Sequence, residues 1–127
     1  MEERSLVKLL APAGARGPAG RRRVDVFVVG RFATPGRQGE SFVTGGRSRL
    51  GDVTIVDWRA FFRARQAYAL PHEIAHVLLG DLGHPDARGD DRRGLLMHSR
   101  ASAALRGPRH LTPSECDAIR DRLGTGR

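Results

Sequence analysis

A histidine–glutamate pair followed by a second histidine gives this chain its clearest chemical signal. The residues are His72, Glu73 and His76, with Ile74 and Ala75 between them. Residues four apart lie one turn apart on a helix, so both imidazoles can reach one ion. Glu73 lies about 100° further round the helix, where its carboxylate can hold the attacking water without occupying a coordination position. The pattern predicts a zinc hydrolase in which Glu73 is the general base.

A third ligand is expected from the loop after this helix. His84 follows Gly80 and Gly83, and glycines there let the chain leave the helix sharply and fold back towards the ion. A glutamate ligand fits poorly, because Glu115 is the only glutamate after Glu73 and is expected to cap the last helix. Three aspartates of the loop remain alternatives to His84 as the third ligand: Asp81, Asp86 and Asp90. Asp81 or Asp86 could instead orient a ligand histidine through a hydrogen bond.

The sequence resembles the metzincin metallopeptidases, the clan that includes matrixins, astacins and reprolysins. The matching features are the His-Glu-x-x-His segment, a glycine followed by His84, Met97 within Leu96-Met97-His98, and the helix start Leu111-Thr112-Pro113. The resemblance spans about residues 24 to 124, and its specific motifs lie between 72 and 123.

This resemblance implies a complete peptidase site. His72, His76 and His84 would bind one catalytic zinc ion, and Met97 would form the Met-turn beneath the metal. Two features depart from the usual pattern. The usual glycine and third ligand would fall at Leu79 and Leu82, so a slightly longer loop is required. Ser99 stands where some members carry a tyrosine that approaches the metal.

The expected partner is a peptide or protein substrate. We expect it to bind extended along a sheet edge, as a strand added beside Ser41, Phe42, Val43 and Thr44. By resemblance, the residues that follow the Met-turn, His98 and Ser99, would line the pocket beyond the cleaved bond.

Three strands and two helices are predicted to carry these residues, and the second strand is a short edge strand at residues 41–44. The apolar, β-branched run Val24–Val29 is typical of a strand in the middle of a sheet, and 53–56 is a further strand. The first helix is predicted from about Ala67 to Gly80, with Pro71 near its start. The last begins at Thr112, where Pro113 and Glu115 complete a capping box.

These elements predict an α+β fold: a small twisted sheet followed by an active-site helix, a zinc-binding loop, a Met-turn and a C-terminal helix. Residues 1–23 are rich in glycine, proline and arginine, and are predicted to form a flexible basic N-terminal arm. Residues 24–127 would form the metzincin-like zinc peptidase domain.

Composition limits the other classes of function. The net charge of +8 reflects 22 basic against 14 acidic residues. The basic residues are spread along the chain without a nucleic-acid-binding motif, so nucleic acid is not the expected partner. A basic nucleic-acid-binding or metal-binding module without catalysis is the alternative. Cys116 is the only cysteine, which excludes an internal disulfide. No apolar run is long enough to span a membrane, and no signal peptide is expected, although the metzincin resemblance suggests secretion.

Overall fold

The computed structural model describes residues 23–43, 52–61, 68–92, 94–99 and 109–124. Its strands are β1 (Asp25–Val29), β2 (Gly39–Phe42) and β3 (Val53–Asp57). Its α-helices are α1 (Ala69–Leu79) and α2 (Pro113–Leu123), and short 3-10 turns lie at Trp58–Phe61 and Asp86–Arg88. This is the small α+β fold expected from the sequence. All but the last residue of the predicted N-terminal arm, residues 1–23, lies outside the described residues.

The three strands form one mixed sheet in the order β1-β3-β2, with β1 parallel and β2 antiparallel to β3. All five residues of β3 are buried, so β3 is the central strand. The sequence-based prediction that β1 lies mid-sheet was therefore wrong for the described part of the chain. Val26 and Val28 of β1 are 41% and 53% exposed. A run of β-branched residues suits a central strand and a one-sided edge strand equally, so composition does not distinguish them.

Each face of the sheet is covered by a different part of the chain. On one face, Val53 and Ile55 are buried among partly buried apolar side chains, which include Phe27, Phe32 and Phe42. On the other face, α1 packs across β2 and β3. Because side chains alternate along a strand, residues of β2 alternate between these two environments.

Helix α1 begins two residues later than predicted, with Pro71 in its first turn, where the missing N–H costs no hydrogen bond. It ends where predicted: Gly80 adopts a left-handed conformation (φ 65°) and donates its N–H to the carbonyl oxygens of His76 and Val77. The guanidinium of Arg122 in α2 donates from Nε to the Leu78 carbonyl at 3.1 Å. A side chain of α2 therefore satisfies a carbonyl group in the last turn of α1.

Helix α2 begins with the predicted capping box. The Glu115 N–H donates to the Thr112 hydroxyl at 3.2 Å, and the Thr112 N–H donates to Glu115 Oε2 at 2.7 Å. Pro113 occupies the first helical turn. Within the described residues, neither helix has the length and apolar character needed to cross a bilayer.

We expect Thr112→Ala to lower the free energy of unfolding by about 1 kcal/mol, because the Glu115 N–H loses its acceptor. Urea unfolding followed by circular dichroism measures the change. Thr112→Ser keeps the hydroxyl and is expected to stay close to wild type. Equal stability of the alanine and serine variants would show that the cap contributes nothing.

Candidate metal centre and active-site cleft

Three imidazoles converge on one point between α1 and the loop that follows it. The Nε2 atoms of His72 and His76 lie 3.1 Å apart, and His84 Nε2 lies 3.2 Å from His76 and 3.3 Å from His72. Three nitrogens bound tetrahedrally to a zinc ion at 2.0–2.1 Å would be separated by about 3.3 Å. The three histidines therefore lie close enough to bind a metal ion.

The opposite ring nitrogens show why a cation suits this arrangement. His72 Nδ1 lies 2.7 Å from the Leu96 carbonyl oxygen, and His76 Nδ1 lies 2.7 Å from that of Asp81. A carbonyl oxygen only accepts, so each Nδ1 carries the proton and each Nε2 presents a lone pair in the neutral ring. Two lone pairs 3.1 Å apart cannot hydrogen-bond to each other, and a cation between them removes the repulsion.

Burial keeps the two helical imidazoles in the form that binds metal. His72 and His76 are 9% and 4% exposed. Burial lowers the pKa of His72, and it lowers that of His76 to about 4, despite the opposing hydrogen bonds to main-chain carbonyls. Both rings are therefore neutral at pH 7, as metal coordination requires.

An aspartate turn brings His84 to the other two histidines. Asp81 accepts the Gly83 N–H at Oδ1 (2.7 Å) and binds the Arg88 guanidinium at Oδ2 (2.6 Å). The Gly83 N–H lowers the pKa of this carboxyl, and Arg88 adds to the effect. The longer loop predicted from the sequence is thus closed by a local turn. Both oxygens of the Asp81 carboxylate are used in this turn, and Asp81 is not a member of the metal-binding cluster.

The other two candidate aspartates also have partners elsewhere. Asp86 accepts the Ser99 N–H at 2.9 Å and the Ser99 hydroxyl at 2.5 Å. Burial opposes ionisation of Asp86, but these hydrogen bonds outweigh it and bring its pKa to about 2. Asp90 binds Arg92 through both oxygens. Within the described ranges, the three histidines form the only group of three or more histidine, cysteine, aspartate or glutamate side chains that are close enough together to bind one metal ion.

Met97 lies in a tight turn whose main chain contacts His72. The His98 N–H donates to the Leu95 carbonyl at 3.3 Å, and Met97 is 1% exposed. The Leu96 carbonyl, in the same turn, accepts from His72. The turn thus orients one candidate metal ligand through its main chain. Assignment of Met97 as a metzincin Met-turn stays a prediction.

Glu73 is buried against strand β2. It is 9% exposed, and burial raises its pKa to about 7, although the Ser41 hydrogen bond and the charge of Arg37 oppose the shift. The Ser41 hydroxyl lies 2.5 Å from Glu73 Oε2 and 2.8 Å from its main-chain oxygen. Gly39 leaves space for the carboxylate, since a Cβ there would lie 2.6 Å from Oε1.

Glu73 and two of the three histidines, His72 and His84, line one cleft. Its volume is about 430 Å³. His72 and Glu73 form one side with His84, and the loop before β2 supplies the other through Thr34, Arg37 and Gln38. The His72–Glu73 segment therefore borders a space large enough for a ligand. The opposite wall of this space consists of residues that belong to no recognised sequence motif.

The residues predicted to bind substrate lie in different environments. The Ser41 hydroxyl faces Glu73, Phe42 packs in the apolar cluster on the opposite face, and Val43 is buried. Thr44 lies outside the described residues. Ser99 lines the cleft, whereas His98 is 4% exposed, contacts Asp91 at 3.0 Å and does not line it.

Several residues of the site escaped sequence reasoning. Gly39 and the 34–38 wall carry no motif, and the carbonyls that orient the histidines belong to residues of any type. Their positions follow from long-range packing rather than from local spacing.

Comparisons with protein-family models, curated proteins and solved structures found no match for this chain.

We expect His84→Ala to weaken metal binding by more than about 100-fold, because a direct ligand is lost and the loss of an outer partner alone costs 10- to 100-fold. Asp86→Asn, which keeps the size of the side chain, is expected to retain the metal. Elemental analysis after reconstitution with a divalent transition-metal ion measures both. Equal loss in the two variants would mean that Asp86 contributes to the site.

Proposed function

We propose that this chain is a metzincin-like zinc-dependent endopeptidase. The observation that carries the proposal is the convergence of three histidine Nε2 atoms next to a cleft that Glu73 lines together with His72 and His84. This set provides three imidazole ligands and a carboxylate that is not one of them, which is the donor set of a catalytic rather than a structural zinc site.

The ligand chemistry supports zinc as the ion. Imidazole suits zinc, copper, iron and nickel, whereas calcium and magnesium prefer oxygen ligands. Three histidines with space beside them fit a tetrahedral site that keeps one open position. A bound zinc ion would polarise a carbonyl group and lower the pKa of a water molecule.

Glu73 is proposed to move the proton. Its carboxylate takes the proton of the attacking water and returns it to the leaving amine. Burial raises the pKa of Glu73 to about 7, and a nearby cation would lower it again and so favour the ionised form that accepts a proton. Ser41 holds the carboxylate through its hydroxyl, so the base stays on the cleft side of α1.

The edge of β2 supports an extended peptide as the ligand. The Asp57 N–H donates to the Gln38 carbonyl, so by antiparallel alternation the main-chain groups of Gly39 and Ser41 face away from β3. Within the described part of the chain, no strand occupies that side of β2. A peptide there would extend the sheet past Glu73, in the manner of strand addition.

The cleft wall also contains an unused hydrogen-bonding atom. Gln38 lines the cleft, and its Oε1 atom is buried without a hydrogen-bond partner among the described residues. An unsatisfied buried acceptor costs about 1–3 kcal/mol, so a ligand that brings an N–H close to it would be favoured. Peptide groups carry such donors at every residue except proline.

Among the described residues, the charge pattern does not favour the nucleic-acid alternative. Arginines 23, 37, 59, 88, 92 and 120 each form an ion pair with an aspartate or glutamate of the same chain. Positive charge that is balanced locally contributes less to phosphate binding than a cluster of unpaired cations.

Glu73→Gln is expected to retain zinc but to lower peptide hydrolysis by about 100- to 10,000-fold, because the amide cannot accept the proton. Zinc content by elemental analysis and cleavage of a quenched-fluorescent peptide library are measured on the same preparation. Wild-type protein that holds zinc and cleaves no peptide would refute the peptidase proposal, as would full activity of Glu73→Gln.

Gly39→Ala tests the position of the carboxylate. The added methyl would overlap Glu73, so we expect hydrolysis to fall by about tenfold or more while zinc is retained. Gly30→Ala is the matched control, because a Cβ at Gly30 meets nothing within 4 Å. Equal activity of the two variants would mean that Glu73 does not need its observed position.

A further inference from the structure

A second cavity adjoins the cleft on the other side of the loop before β2. Its volume is about 210 Å³, and its apolar walls come from Val29, Phe32, Ala33 and Ile55. It shares the residues Thr34 and Arg37 with the cleft that contains the candidate catalytic residues. We call this cavity the apolar side pocket.

The apolar side pocket lies on the sheet face opposite α1. Ile55 belongs to the cluster that includes Val29 and Phe32, and this cluster packs on the face away from the helix. Ile55 is 2% exposed, whereas Ala33 is an exposed residue of the loop. The pocket therefore has a buried apolar floor formed by the sheet and a rim formed by the loop.

The alternation of β2 connects the pocket with the reaction centre. Gly39 and Ser41 face Glu73. Glu40, between them, lines the apolar side pocket on the other face of the sheet. A peptide strand beside β2 alternates its side chains in the same way. Side chains of one parity would therefore face the metal centre, and those of the other parity would face the apolar side pocket.

We propose that the apolar side pocket binds a large apolar side chain of the peptide substrate, such as leucine, and makes cleavage selective for it. The proposal rests on the peptidase function proposed for the adjoining cleft. The pocket walls gain dispersion contacts when an aliphatic group enters, and such a side chain leaves water at the same time. Replacement of the large side chain by alanine removes most of that gain.

Binding can be tested without catalysis. N-acetyl-leucinamide is titrated into the protein, and methyl resonances are followed by NMR. We expect shifts at Val29 and Ile55, and none with N-acetyl-glycinamide at the same concentration. Ala33→Phe fills the pocket from its exposed rim and is expected to abolish the shifts. The control, Ala118→Phe, places the same residue at an exposed position of α2 and is expected to leave them unchanged.

Selectivity is tested with two quenched-fluorescent peptides that differ only by leucine or alanine at one position, with the position scanned along the peptide. We expect one position at which leucine raises kcat/KM at least about tenfold, and we expect Ala33→Phe to remove that preference. Leucine selectivity that survives Ala33→Phe, or N-acetyl-leucinamide shifts confined to other residues, would overturn the proposal.

The two experiments separate this proposal from the one on which it rests. If the zinc-loaded protein cleaves no peptide, the peptidase function fails, and the NMR titration still reports whether the pocket accepts a leucine side chain. If peptides are cleaved without any preference that depends on Ala33, the peptidase function stands and the pocket assignment fails.

Discussion

The structure of the site depends on how two imidazole rings are held by main-chain carbonyls. Leu96 and Asp81 accept from the Nδ1 atoms of His72 and His76, and these contacts direct the unprotonated Nε2 atoms at each other. In an apolar interior this convergence of lone pairs is unfavourable without a cation. The two turns that supply the carbonyls therefore determine where the two Nε2 atoms meet.

The turns are stabilised by local ionic and cap interactions rather than by apolar packing alone. Asp81 closes its turn through the Gly83 N–H and Arg88, and Asp86 joins the loop to Ser99, two residues after Met97. Arg122 of α2 reaches back to the end of α1. Exposed pairs of this kind contribute little individually, but they connect segments that would otherwise be free to move apart. Asp81 and Asp86, which the sequence suggested as possible metal ligands, thus stabilise the loop that carries His84.

The sheet has a corresponding role for Glu73. Because α1 lies across β2 and β3, one face of β2 contacts the carboxylate, and only a small residue at Gly39 and a hydroxyl at Ser41 suit that contact. The opposite face of the same strand lines an apolar cavity. A single short strand therefore links the proposed base, the sheet edge proposed to bind a peptide and the proposed pocket for its side chain.

The sequence alone determined the features that depend on local spacing. The helix carrying His72, Glu73 and His76, the glycine that ends it and the Thr112 cap were all predictable, because helical periodicity and capping act over three or four residues. Tertiary structure decided the rest. Strand order placed β3 rather than β1 in the centre, and it brought Ser41 and Gly39 to Glu73 across more than thirty residues of chain. Such contacts arise when separate elements bury their apolar faces together, and no local pattern specifies which pairs will meet.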